Sequence, residues 1–156
     1  MRHMVIAVGL VLLFFAVPVQ AQTLTDTQKA EIEKVLTENH KEIIASVNQL
    51  SSAGYAKYLS ESFQEKAGSG NIQAVSKGPF LKWVDGIFAQ RASQTVSPHS
   101  IKVFVLSPDF AYSLYVAGVQ ITVKSGRKGG YGNAMTFVWR KEPGGWKIIH
   151  FHESNW

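Results

Sequence analysis

The stretch that decides the fold is Trp146-Lys-Ile-Ile-His-Phe-His-Glu-Ser-Asn-Trp156. It reads as a β-strand, since it is rich in aromatic and β-branched residues and follows the turn Glu142-Pro-Gly-Gly145. Successive side chains of a strand point to opposite faces. Strict alternation puts Trp146, Ile148, His150, His152 and Ser154 on one side. Lys147, Ile149, Phe151 and Glu153 take the other. Both sides mix apolar bulk with ionisable groups, so neither is a plain solvent face. The expectation is a strand with one face on a core or pocket and the other on a partner.

Upstream of it the pattern stays that of strands. Tyr131 to Lys141 is one, preceded by the glycine-bearing hairpin loop Ser125 to Gly130. Phe110 to Val123 is another, reached through the turn Ser107-Pro-Asp109. Gln94 to Leu106 is a third, with Pro98 marking a bend or an edge position. Before Ser93 the period becomes helical. Leu24 to Leu50 carries Ile32, Leu36, Ile43, Val47 and Leu50 on one stripe, with Thr25 or Asp26 as cap. His40 sits beside Glu38 and Lys41 and reads as a solvated helical position. Ser51 to Gly54 breaks that helix, and Tyr55 to Phe63 reads as a second, short one. Gln64 to Lys77 is a polar loop with room for one short strand. Gly78-Pro79 opens a third helix, Phe80 to Arg91, with Phe80, Trp83, Val84, Ile87 and Phe88 on its buried side. Helices followed by an antiparallel meander give an α+β domain in which a curved sheet wraps the helices around a cavity.

The last strand pair has a likeness. Val138-Trp139-Arg140, a turn, then Gly145-Trp-Lys-Ile-Ile-His-Phe-His-Glu-Ser154 resembles the end of the association (hub) domain of calcium/calmodulin-dependent protein kinase II. That domain belongs to the nuclear transport factor 2-like superfamily, with its SnoaL-like bacterial relatives. Tyr55-Ala-Lys-Tyr58, Phe80-Leu-Lys-Trp83, Ser97-Pro-His99 and Asp109-Phe-Ala-Tyr112 extend the likeness over residues 28–156. The resemblance implies a cone of three N-terminal helices packed on a strongly curved antiparallel sheet. It also implies a homodimer through the outer sheet face, including Trp146, His150 and His152. Lys147, Ile149, Phe151 and Glu153 would then face the interior. Where the hub domain keeps pocket arginines, this chain has Phe137 and Glu153. An anion pocket built on those guanidinium groups is not implied.

Chemistry in the sequence is sparse. Glu153 is the candidate functional acid, since burial beside Phe151 and Trp139 would raise its pKa as a general acid or base requires. The plainer alternative is a rim carboxylate paired with a Lys or Arg. Tyr55, Tyr58, Trp83, Tyr131, Asn133, Met135, Phe137, Trp139 and Phe151 are the candidate ligand-binding wall, or else core. His150 and His152 share a strand face, but a metal site needs a third ligand from His99, Asp109 or Glu153. Histidines serving neighbouring strands are the preferred reading, and no metal and no cofactor is assigned. Gly126-Arg-Lys-Gly-Gly130 lies between strands, not before a helix, so it is no phosphate cradle.

Composition bounds the rest. Arg2 and His3 precede an apolar run, Met4 to Val17, and small residues lead up to Ala21. The run is short for a membrane span, which needs about 20 residues. Residues 1–21 are therefore expected to be a signal peptide and residues 22–156 one periplasmic or secreted domain. With no cysteine, that domain is held by its core alone, and thiol or cysteine–zinc chemistry is excluded. The net charge is +5, but the basic residues are scattered, which speaks against nucleic acid. Three functions stay open: a non-enzymatic binder of a small apolar or amphipathic ligand, a cofactor-free isomerase, dehydratase or cyclase using Glu153, and a protein-interaction module.

Overall fold

The computed structural model describes residues 23–66 and 74–156. The expected signal peptide, residues 1–21, lies outside the described residues. The elements run α1 (Asp26–Asn48), α2 (Ala53–Tyr58), β1 (Leu59–Lys66), β2 (Ala74–Ser76), α3 (Lys77–Phe88), β3 (Arg91–Val105), β4 (Phe110–Val123), β5 (Lys128–Glu142) and β6 (Gly145–Asn155). They form the expected α+β cone: helices against one face of a curved, unclosed six-stranded sheet of order β2-β1-β6-β5-β4-β3. All neighbours pair antiparallel except β1 and β6, which run parallel.

Helix α1 starts at Thr25, whose hydroxyl accepts from the Gln28 amide while Gln28 Oε1 accepts from the Thr25 N–H. This reciprocal cap satisfies two donors that a helix start leaves unpaired. Its buried stripe is Leu36, His40, Ile43 and Val47. His40 is therefore in the core, 1% exposed, and not solvated as its charged sequence neighbours imply. The relevant neighbours on a helix lie three and four positions away, and those are Leu36 and Ile43. At the other end Asn48 Oδ1 accepts from the Val96 N–H at 2.7 Å, pinning α1 to β3.

The second helix is shorter than expected. It ends at Tyr58, and Leu59 is already extended at φ −69°, ψ 130°. Leu59 to Phe63, expected as helix, joins β6 as a parallel strand instead, with Leu59 opposite Ile148. Its apolar residues fit either period, and the unpaired backbone of β6 decides in favour of a strand. The sheet is thus not a pure meander. Pro98 does mark an edge position: β3 pairs on one side only, and its register slips between Pro98 and Ser100.

The closing strand departs from strict alternation. Val138 pairs with His150 but Trp139 pairs with Ile148, so Ile149 is an extra residue in β6. The bulge turns the strand over. Trp146 and Ile148 consequently point into the core, at 5% and 0% exposed, as does Phe151 beyond the bulge. Trp146 is not on the outer face, contrary to the alternation. After the bulge the expected order holds, with Phe151 and Glu153 inward and His152 exposed. The end of β6 stays paired to β5, Trp156 and Gly132 exchanging both backbone hydrogen bonds. A Cβ on Gly132 would sit 2.2 Å from the Trp156 ring, so a larger residue there would push that exposed indole aside.

Candidate functional site

Between α1, α3 and the concave sheet face lies an apolar cavity of about 750 Å³, its open mouth included. Its depth is formed by buried His40, Tyr115, Phe137 and Phe151. Trp83, 54% exposed, marks the mouth together with half-buried Arg91 and Tyr131. Trp83 was expected on the buried side of its helix; it lies instead at the rim.

Two sets of polar groups lie in and beneath this cavity. In the first, His40 Nε2 lies 2.8 Å from Ser113 Oγ, and Trp139 Nε1 donates to the same oxygen at 2.8 Å. Ser113 is fully buried, and His40 packs edge-on to Phe137 and Trp139. Burial drives the His40 imidazole down to about 4, so it is neutral at physiological pH.

The second set is anchored by Asn133, 2% exposed. Its Nδ2 donates to Glu153 Oε1 at 2.5 Å and to Asn155 Oδ1 at 2.9 Å. Desolvation raises the Glu153 pKa above the usual carboxylate range, outweighing the hydrogen bonds from the two asparagines and the pull of Arg91 and His152. Three buried polar atoms lining the same cavity have no protein partner among the described residues: Gln94 Oε1, Tyr115 Oη and Asn133 Oδ1. Buried polar atoms are nearly always paired, so a cluster of unpaired ones is informative.

Of the predicted wall, Tyr55, Trp83, Tyr131, Asn133, Met135, Phe137 and Phe151 line the cavity, as does Glu153. Tyr58 and Trp139 do not. Tyr58 Oη donates to Glu42 Oε2 at 2.7 Å, beside Lys57, and Trp139 is sealed beneath Ser113. Glu153 is not the rim carboxylate paired with a Lys or Arg; its partners are amides. The two β6 histidines stay apart in role. His150 Nδ1 lies 2.7 Å from the Gln64 carbonyl and serves the β1 backbone, while His152 is exposed. Four further polar or aromatic residues, not among the predicted wall, line the cavity too: His40, Arg91, Gln94 and Tyr115. Helical spacing from Leu36 would have found His40, and strand alternation from Ser113 would have found Tyr115. Nothing local marks Arg91 or Gln94.

Residues 28–156 match the family model described as "Calcium/calmodulin dependent protein kinase II association domain". The chain belongs to that association-domain family. Solved structures with the same fold include a nuclear transport factor 2-like superfamily protein from Salmonella enterica serovar Typhimurium. It is 14% identical with a TM-score of 0.71, over 81% of this chain and 92% of that one. The association domain of C. elegans calcium/calmodulin-dependent protein kinase II is 16% identical with a TM-score of 0.65, over 83% and 99%. A hexachlorocyclohexane dehydrochlorinase is 8% identical with a TM-score of 0.72, over 84% and 89%. At these identities the likeness is one of fold, and association-domain proteins share the cone with enzymes. No curated protein sequence matches the chain.

Proposed function

We propose that this association-domain protein binds a small, mostly apolar molecule in its cone. The observation that carries this is the grouping of three partnerless buried polar atoms around one aromatic-walled cavity. In a domain that only needed a core, each would cost about 1–3 kcal/mol for nothing. In a binding site they are the few polar groups that orient a ligand within an apolar wall. Native mass spectrometry of gently purified protein tests this. A bound mass should appear with the wild type and vanish in Val119→Phe, which fills the cavity from its β4 wall. An empty wild-type protein that also takes up no hydrophobic probe would sink the reading.

A second reading is favoured by the Glu153–Asn133 contact: proton transfer by a cofactor-free isomerase, dehydratase or cyclase. A carboxyl with a raised pKa, held by an amide inside an apolar pocket, has the attributes of a general base. It predicts turnover that Glu153→Gln abolishes while ligand binding survives. Binding without turnover supports the first reading.

The outer sheet face supports self-association. Phe104, Phe110 and Leu114 are 39%, 42% and 39% exposed there, with Phe104 stacked on Tyr112 at 4.6 Å. We take this face, with His150 and His152 on its flank and without Trp146, as the homodimer contact. Sedimentation at micromolar concentration should give a dimer for the wild type and a monomer for Leu114→Glu. Export follows from the Met4 to Val17 run, and predicts a mature protein beginning at Gln22 when its mass is read.

A further inference from the structure

We infer that the cavity selects an organic ammonium: an aromatic or branched apolar body carrying a protonated amine. This rests on the binding reading above and names the ligand class for the same site.

The argument begins with Asn133. An amide is ambiguous about which end faces a ligand, but here both Nδ2 hydrogens are committed to acceptors, Glu153 Oε1 and Asn155 Oδ1. Turning the amide over would set its carbonyl against two oxygens. Oδ1 is therefore fixed as the end without a protein partner, and what fills the cavity must donate to it. Asn155 acts here as a positioning residue, because it holds Asn133 whatever the protonation of Glu153.

Charge points the same way. Glu153 lines the cavity and is desolvated, and its hydrogen-bond donors are neutral amides. Arg91 stands at the mouth and pulls on Glu153 only through space, more weakly than burial opposes it. A ligand ammonium beside Glu153 and Asn133 Oδ1 would complete both with charge-assisted hydrogen bonds. The faces of Tyr115, Tyr131, Phe137 and Phe151 would attract the same cation. Gln94 carries an amide with no fixed partner and can turn either end toward the ligand. A carboxylate meets the reverse: an acceptor opposite an acceptor, and a like charge beside Glu153. Among the described residues that line the cavity, Arg91 is the cation that could hold such an anion, and its charge already faces that of Glu153.

Three probes that share a phenylethyl body and differ in head group separate these cases: 2-phenylethylamine, 2-phenylethanol and 3-phenylpropionate, titrated calorimetrically into the protein at neutral pH. The amine should bind tightest, by about tenfold or more over the carboxylate, one charge-assisted contact being worth at least that factor. Glu153→Gln keeps an oxygen for Asn133 but removes the charge. It should erase the preference for the amine and leave alcohol binding in place. Asn155→Ala should weaken the amine while keeping the fold, since Glu153 alone then holds the Asn133 amide. If either variant fails to fold, the wild-type ranking alone decides. Carboxylate binding as tight as the amine overturns this inference and leaves the cavity reading intact. No binding by any probe, with Val119→Phe thermally indistinguishable from wild type, overturns both.

Discussion

The packed depth beneath the cavity and the cavity's waist, meaning the level of Gln94, Asn133 and the Tyr115 hydroxyl, treat their polar atoms in opposite ways. In the depth, His40, Ser113 and Trp139 form a closed set, with one hydroxyl serving two rings. At the waist, Gln94, Tyr115 and Asn133 are almost as buried, at 7%, 5% and 2% exposed, yet each keeps an atom unpaired. Burial is the same; satisfaction is not. The depth contributes to folding, and on the proposed reading the unpaired atoms of the waist are the ones a ligand would complete. Proteins commonly give up stability at sites of function in this way.

The largest test of this contrast is Ser113→Ala. It strands the Trp139 N–H and a His40 nitrogen at once, so it should cost about 2–4 kcal/mol in a denaturant titration. A loss below about 1 kcal/mol would show that the depth is no better satisfied than the waist. Acid is next. Unfolded, His40 takes up a proton near pH 6.5; folded, it holds out to about 4. Below pH 6.5 the unfolded state therefore binds the extra proton, and stability falls as pH drops toward 4, by roughly 3 kcal/mol in all. Glu153 works in the opposite sense, because its raised pKa lets the folded state bind a proton first as pH falls. His40→Gln isolates the histidine: the slope between pH 6.5 and 4 should flatten relative to wild type. An unchanged slope would place the acid sensitivity elsewhere.

The same contrast explains what the sequence revealed. Long strands with strict alternation, β4 above all, were legible, because a period of two over 14 residues admits one reading. Most of the cavity lining followed, since Tyr131, Asn133, Met135 and Phe137 share one face of β5. The failures have separate physical causes. His40 was judged by its chain neighbours Glu38 and Lys41, whereas its helical neighbours are apolar. The short segment Leu59 to Phe63, apolar only at its two ends, fits helix and strand alike, and a hydrogen-bonding partner far along the chain chose the strand. Trp146 was placed on the wrong face by one bulged residue, Ile149, and a bulge leaves no mark on the local pattern. Fold class depends on period and survived these errors. The site depends on which face, and did not survive them intact.

Tyr115→Phe is the smallest of these tests, and it separates the two regions most directly. Tyr115 stacks on His40 at 5.8 Å, so its ring belongs to the depth, while its hydroxyl belongs to the waist. Removing that hydroxyl keeps the packing and discards an unpaired buried group, which burial already holds far from ionising. If the hydroxyl serves only a ligand, the free protein should gain about 1 kcal/mol and melt a few degrees higher. The same variant should lose affinity for 2-phenylethylamine by several-fold. Gain of stability with loss of binding is the signature of a group kept for function, because no folding role can improve when it is removed. Were the variant destabilised instead, the hydroxyl would be paired in the folded protein, and the waist would be ordinary core.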